Sequence, residues 1–349
     1  MRIRAAQITG NSLPVAAEEG VVRASKLTYA QKKGSYVWIN GDHQPQSTTA
    51  ANSTTGASGY GDPTGTAGDT NFVRYHSGNY GLMAQAFVTG TQTILGPIFG
   101  DLDLKVRRAV EAIPAGEKKP KAAIVLDTTG GVVELVERMV GILRHHFAEL
   151  HFLIPDRAMS AGTIFAMSGD AIWMDYAACL GPIDPQIERD GKLVPALSYV
   201  VQFEELVRKS MSGQVSPAEL LLLQKLDLAD LHWYQQARDL SVSLLVEWLS
   251  QYKFKDWTAT AGRGVAVDDA MRRQRAEEIA KSLSDNVRWK SHGRPISMRV
   301  LTDQLNLRIN DLAANPDLQR AVKLYFDLLT DYSAKTGRPQ LVHAMGYCS

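Results

Sequence analysis

Cysteine is scarce in this chain: two in 349 residues, Cys179 in an apolar run and Cys348 at the extreme C-terminus. Thiols so few and so far apart exclude the disulfide framework of a small secreted domain. They suit a reducing compartment, so a cytoplasmic location is expected. Net charge is scarce as well. With 38 basic and 37 acidic residues the formal charge is +1, which excludes the global positive field that draws proteins to nucleic acid. Met1–Gly20 carries Arg2, Arg4, Glu18 and Glu19 and lacks an apolar stretch long enough for a signal-peptide core. The uncharged segment Gly81–Gly100 holds Gln85, Gln92 and several threonines, so it reads as buried and β-rich, with no transmembrane segment. No repeat of about 20–50 residues is present, which excludes a solenoid. His145, His146 and His232 lack Cys or His neighbours at ligand spacing, so no metal and no other cofactor is expected.

What is present is a chain of 45% hydrophobic composition, enough for one large core or two modest ones. Residues 41–72 are mostly Ser, Thr, Gly and Ala and cannot form a core of their own. They read as a surface loop, a lid or a substrate-facing insertion. From Leu102 the texture alternates. A helix near Asp103–Ile113 precedes a strand at Ala122–Leu126. Val132, Val136, Met139, Leu143 and Phe147 then recur at helical spacing. A strand at Leu150–Ile154, a helix at Met159–Ser168 and a strand at Ala171–Met174 follow. This β-α-β-α-β order predicts an α/β fold with a parallel sheet and right-handed crossovers. Beyond Pro195 the pattern is helical: Ala196–Met211, Pro217–Lys225 and Leu228–Tyr252, then a charged link at Ala259–Asp269 and a helix at Ala270–Leu283. The expected division is an N-terminal segment 1–94, a catalytic core 95–258 and a helical C-terminal extension 259–349.

Two glycine-bearing turns follow successive strands: Asp127-Thr-Thr-Gly-Gly131 and Pro155-Asp-Arg-Ala-Met-Ser-Ala-Gly-Thr163. In a parallel sheet the C-terminal strand ends line one edge, so the two turns face each other across one cleft. Acyl transfer needs a nucleophile beside backbone N–H groups that stabilise an oxyanion, each worth about 10²–10³ in rate. Ser160 sits on the strand-to-helix turn, and the N–H groups of Gly131 and Ala161 are the natural oxyanion donors. A serine in such a turn also serves as an N-cap, and a Gly-Gly pair also serves only the turn's positive φ.

Leu126-Asp-Thr-Thr-Gly-Gly131 resembles the strand-plus-Pro-Gly-Gly turn of Clp-type peptidases, with Thr129 in place of the turn proline. The stretch Ile154–Ile187 is similar over its whole length to the serine dehydrogenase proteinase family, a branch of the ClpP/crotonase fold related to the SppA signal peptide peptidases. Its marks are Ala158-Met-Ser-Ala-Gly-Thr163, an Ala-rich helix and Leu180-Gly-Pro-Ile-Asp-Pro-Gln186. The resemblance covers roughly residues 95–310. It implies a ClpP/crotonase-like parallel sheet, a serine peptidase acting on protein or peptide substrates, and a closed homo-oligomer.

A serine nucleophile needs a base, and no histidine occurs between Ser160 and His232, so the Clp order of Ser, His and Asp is absent. Two candidates stay open. Lys209 precedes Val215-Ser-Pro-Ala-Glu219, which is similar to the helix start after the SppA lysine, and desolvation would lower its pKa toward that of a base. His292 lies in Trp289-Lys-Ser-His-Gly-Arg-Pro-Ile296, which resembles a Trp-Thr-His-Asp-Tyr-Pro-Ile stretch of the serine dehydrogenase proteinases. Lys192 and Lys225 are weaker candidates, and His232 reads as a packing residue. A histidine base predicts a rate limb rising at about pH 6–7, a lysine base one at higher pH. The alternatives to a peptidase are a catalytically inactive scaffold of this fold and a crotonase-type acyl-CoA enzyme.

Overall fold

A computed structural model describes residues 21–23, 27–32, 35–40, 90–113, 120–189, 192–224, 226–260, 262, 264–344 and 347–349. The Ser/Thr/Gly-rich segment 41–72 lies outside them. Near the N-terminus β1 (Val21–Arg23), β2 (Leu27–Lys32) and β3 (Ser35–Asn40) pair antiparallel in that order. The chain then runs through β4 (Gly90–Leu95), α1 (Leu102–Glu111), β5 (Lys121–Asp127), α2 (Val133–His146) and β6 (Glu149–Ile154). Next come β7 (Arg157–Ala158), α3 (Ala161–Met167), β8 (Ala171–Met174) and β9 (Cys179–Leu180). A hairpin, β10 (Gln186–Arg189) and β11 (Lys192–Pro195), leads to the helices α4 (Ala196–Met211), α5 (Pro217–Gln224) and α6 (Leu228–Trp248). After α7 (Asp269–Ser284) come β12 (Ile296–Ser297), β13 (Asn310–Asp311), α8 (Pro316–Thr336), β14 (Leu341–Ala344) and β15 (Tyr347–Cys348).

Seven strands form the central sheet in the order β13-β8-β6-β5-β4-β14-β15. It is parallel from β13 to β4 and antiparallel beyond. The sequence of β5 explains its place in the middle. Ala122–Leu126 is an unbroken apolar run buried on both sides, as a parallel strand covered on two faces requires. Ala122, Ile124 and Leu126 face a core shared with α1, α2, α3, α6 and α7. Ala123 and Val125 face the other way, onto Leu318, Val322, Tyr325 and Leu329 of α8. The helix expected from its spacing is α2, and Val136, Met139, Val140 and Leu143 form its buried stripe while Val132 is exposed.

The fold is thus the expected mixed α/β architecture around a mainly parallel sheet. Its C-terminal region is built into that sheet: β13, β14 and β15 are three of the seven strands, and α8 supplies the second layer. β4 straddles the boundary expected at residues 94/95. In the segment read as buried and β-rich, Thr91, Gln92 and Thr93 are all buried. Among the described residues no helix is long and apolar enough to cross a membrane. A second, three-stranded sheet, β12-β9-β7, stands at the C-terminal edge of the parallel strands. β7 runs parallel to β9, and β12 antiparallel to it.

Candidate active site

The two glycine-bearing turns are joined directly. The Thr128 N–H donates to the Arg157 carbonyl at 3.0 Å, and the Met159 N–H donates to the Thr128 carbonyl at 3.0 Å. Gly130 has φ +98°, and a Cβ built there would lie 2.8 Å from Ser160 Cβ and 2.7 Å from the Met159 carbonyl oxygen. Only glycine lets the first turn come this close to the serine. Gly131 is equally constrained, with φ +149° and a Cβ position 2.0 Å from the Ile98 carbonyl oxygen. Ile98 donates to the Gly130 carbonyl at 2.8 Å and accepts from the Val132 N–H at 2.9 Å, which leaves the Gly131 N–H out of this ladder. Thr129 stands at the turn without a proline's stiffness. The buried Thr128 hydroxyl, accepting from the Gly130 N–H at 3.0 Å, holds the loop instead.

Ser160 caps α3 in position only. Its φ of +52° and ψ of −119° lie outside the regions an L-residue favours, and its side chain makes no capping hydrogen bond. A strained serine on a strand-to-helix turn, with its hydroxyl unspent, is the geometry that presents a nucleophile. The next residue, Ala161, opens the helix, so its N–H is one of the groups a helix start leaves without an internal partner. All seven residues of α3 are buried, and Gly162 is packed so tightly that a Cβ would meet Thr128 Cγ2 at 2.3 Å.

The three-stranded sheet brings two further residues to the same place. Ser160 leaves the C-terminal end of β7, and Gly181–Asp184 leaves the C-terminal end of β9, which runs parallel to it. β12 is antiparallel to β9, with Ile296 opposite Leu180, so His292 leads into β12 at that same end. Thr163 ties the segment down: its Oγ1 accepts from the Gly181 N–H at 2.9 Å and lies 2.8 Å from the Ala158 carbonyl. Trp289 does the same for the histidine loop, donating from Nε1 to the Ser282 carbonyl at 2.7 Å. His292 Nδ1 is 3.0 Å from Asp184 Oδ1, with the two side chains 14% and 1% exposed. A carboxylate only accepts, so Nδ1 carries the proton and Nε2 is left to receive one.

Lys209 is differently engaged. Its Nζ lies 2.8 Å from Glu219 Oε1. Glu219 in turn accepts from the Ser216 N–H at 2.8 Å and donates its own N–H to Ser216 Oγ at 3.2 Å. Val215-Ser-Pro-Ala-Glu219 is therefore a capping box at the start of α5. Its carboxylate raises the Lys209 pKa, opposite to the lowering that a lysine base requires. Lys192 lies in β11 and Lys225 outside the described residues. His232, read as a packing residue, is exposed on α6. Among the described residues no group of His, Cys, Asp and Glu is placed to hold a metal.

One carboxylate beside the turns bears an electrostatic cost. Burial, and then the charge of Asp156, raise the Asp127 pKa to about 6, with Arg157 pulling the other way. A carboxyl whose folded pKa lies above its unfolded one destabilises the fold when ionised, and the penalty is relieved as pH falls through about 6 toward 4. Asp127→Asn is therefore expected to stabilise the protein at pH 8 by up to about 3 kcal/mol, a gain that shrinks toward pH 4. Urea unfolding at both pH values checks this, and a pH-independent gain would refute it.

Residues 93–265 match the family model of the ClpP-like SDH-type serine proteinases. Protein MJ0137 of Methanocaldococcus jannaschii is 36% identical over 101 residues, covering 29% of this chain and 33% of that protein. Protein MJ1495 of the same organism is 35% identical over 100 residues, covering 27% and 33%. The match thus spans about a third of the length of these relatives. Among solved structures, a serine-to-alanine variant of the 1510-N membrane-bound stomatin-specific protease aligns with 18% identity and a TM-score of 0.27, over 34% of this chain and 61% of that one. A lysine-to-alanine variant with a substrate peptide aligns with 20% identity and a TM-score of 0.27, over 34% and 58%. The likeness to the ClpP-like SDH-type serine proteinases thus rests on residues 93–265, just under half of the chain, a stretch that holds both glycine-bearing turns and Ser160.

Proposed function

We propose that the protein hydrolyses peptide bonds of protein or peptide substrates, with Ser160 as nucleophile, His292 as general base, Asp184 as its orienting carboxylate, and the N–H groups of Gly131 and Ala161 as the oxyanion hole. The observation that carries the reading is the Asp184–His292 pair, which emerges at the same end of one small sheet as a strained serine whose hydroxyl caps nothing. Across the middle strand β9, the outer strands β7 and β12 are about 10 Å apart, which puts the serine and the imidazole on neighbouring parts of one sheet end.

In this mechanism His292 Nε2 takes the Ser160 hydroxyl proton as Oγ bonds to the scissile carbonyl carbon, and the electron pair moves onto the carbonyl oxygen. The Gly131 and Ala161 N–H groups stabilise that oxyanion. The imidazolium, held and balanced by Asp184, returns the proton to the amide nitrogen as the C–N bond breaks. Water then attacks the acyl-serine by the same route and restores Ser160. The chain order Ser160, Asp184, His292 differs from that of Clp peptidases while the roles are the same. An acyl-CoA enzyme with the same paired turns gives the Asp184–His292 pair no role.

Labelling with a fluorophosphonate, followed by peptide mapping, tests the assignment. A single adduct on Ser160 is expected. Folded protein that takes up no label, or takes it up elsewhere, refutes the reading and favours an inactive scaffold.

A further inference from the structure

The N-terminal edge of the parallel strands, opposite the edge that holds Ser160, gathers cations from separate parts of the chain. Arg144 lies in the last turn of α2, and Asp170 in the turn between α3 and β8. Arg144 Nη1 lies 2.8 Å from Asp170 Oδ2, and Lys255 Nζ lies 2.6 Å from Asp170 Oδ1. The Leu150 N–H also donates to Asp170 Oδ2, at 2.8 Å, so both oxygens of this carboxylate are engaged. Lys253 ends a π-helix, Leu249–Lys253, that continues α6, and single π-turns recur at functional sites. Arg308 stands two residues before Asn310, which pairs with Trp173 of β8. The same register sets Arg308 beside Ala171, next to Asp170.

Charge is out of balance at this edge. Neither Lys253 nor Arg308 has a carboxylate within ion-pair distance among the described residues. Glu149 is taken by Lys121 at 2.7 Å, and Asp256, next along the chain, is exposed and pairs with neither. Asp170 supplies one negative charge. The C-terminal ends of α2 and α3, where Arg144 donates to the Ser168 carbonyl, add at most about half a charge each. Against Arg144, Lys253, Lys255 and Arg308, about two positive charges are left uncompensated. Lys253 is partly buried, and burial, then the Arg308 guanidinium, push its ammonium pKa down to about 8, with Asp170 pulling the other way. Arg144 stacks 3.5 Å over the Tyr252 ring, and its buried Nε has no hydrogen-bond partner among the described residues. Unpaired cations held together against their own repulsion fit an anion of about two charges. A phosphate dianion carries that charge on oxygens that accept from guanidinium and ammonium alike. We propose that Lys253, Arg308 and Arg144, grouped around Asp170, bind the phosphate group of a small molecule, either inorganic phosphate or a phosphate monoester. The site lies at the far end of the sheet from Ser160, so the inference does not depend on the catalytic assignment.

Isothermal titration calorimetry of the full chain tests it, with inorganic phosphate and glycerol phosphate as separate ligands in chloride buffer. Phosphate also stabilises proteins generally through its exclusion from their surfaces, so direct binding is the readout. Saturable binding at a single site, with a dissociation constant below about 1 mM, is expected for at least one of the two. The tighter ligand identifies the source, a free phosphate or a monoester. Arg308→Gln, at an exposed position, and Lys253→Met are each expected to weaken that binding about tenfold or more. Should Lys253→Met fail to fold, Arg308→Gln carries the test alone. No saturable binding of either ligand overturns the inference, as does an unchanged affinity in the folded Arg308→Gln variant. Binding to phosphatidylglycerol vesicles in place of both soluble ligands overturns it in favour of a lipid surface.

Discussion

Ser160→Ala and Ser160→Gly both lose turnover on the order of 10⁶-fold, as expected when a triad nucleophile is removed, yet they differ in stability. Alanine keeps a Cβ at a φ of +52° and loses only a hydroxyl that caps nothing, so its unfolding free energy stays close to wild type. Glycine populates that conformation without penalty and releases strain of about 1–3 kcal/mol. An inactive variant that is more stable than the wild type therefore identifies Ser160 as a residue held in place for chemistry. Turnover on a fluorogenic peptide library and thermal unfolding decide the matter. Retained turnover in the alanine variant removes the nucleophile assignment. A destabilised glycine variant removes the strain argument.

His292→Gln is expected to match that loss in turnover, and Asp184→Asn to cost roughly 10³–10⁴-fold while keeping the shape of the buried side chain. Asn at 184 can donate to Nδ1 and turn the wrong tautomer toward the serine, so the loss comes through the imidazole. Lys209→Met is the contrasting variant. Its ammonium is committed to Glu219 at 2.8 Å, a pair exposed enough to contribute little to stability. Turnover within about twofold of wild type is therefore expected, since the pair touches no reacting atom. Abolished turnover in Lys209→Met, together with an active His292→Gln, would reverse the assignment of the base.

The helices and strands that build the site could be read from periodicity. Ala122–Leu126 and Leu150–Ile154 announce buried strands, and the two glycine turns after them mark the cleft, because both features are local. The partner of His292 was not legible in this way. Asp184 stood in the quoted Leu180–Gln186 motif without a role, since its meaning depends on a contact between residues 108 apart, made by two-residue strands too short to carry a hydrophobic pattern. Lys209 is the opposite case. Ser216 and Glu219 have the spacing of a capping box, a local signal that was legible in the same residues that resemble a lysine-dyad motif. The C-terminal strand Leu341–Ala344 was also hidden, because its four residues follow a long helix and its pairing partner, β4, lies near the other end of the described chain.

The order of synthesis gives the three-stranded sheet a further meaning. A growing chain emerges N-terminus first, so β7 and β9, with Ser160 and Asp184, are made well before β12. On the proposed assignment, until residues 292–297 emerge the nascent chain would hold a nucleophile and an oxyanion loop with no base between them. The last strand to join that small sheet would then also be the piece that makes the centre competent, and hydrolysis could not begin while the polypeptide is still being made through the helices α4, α5 and α6.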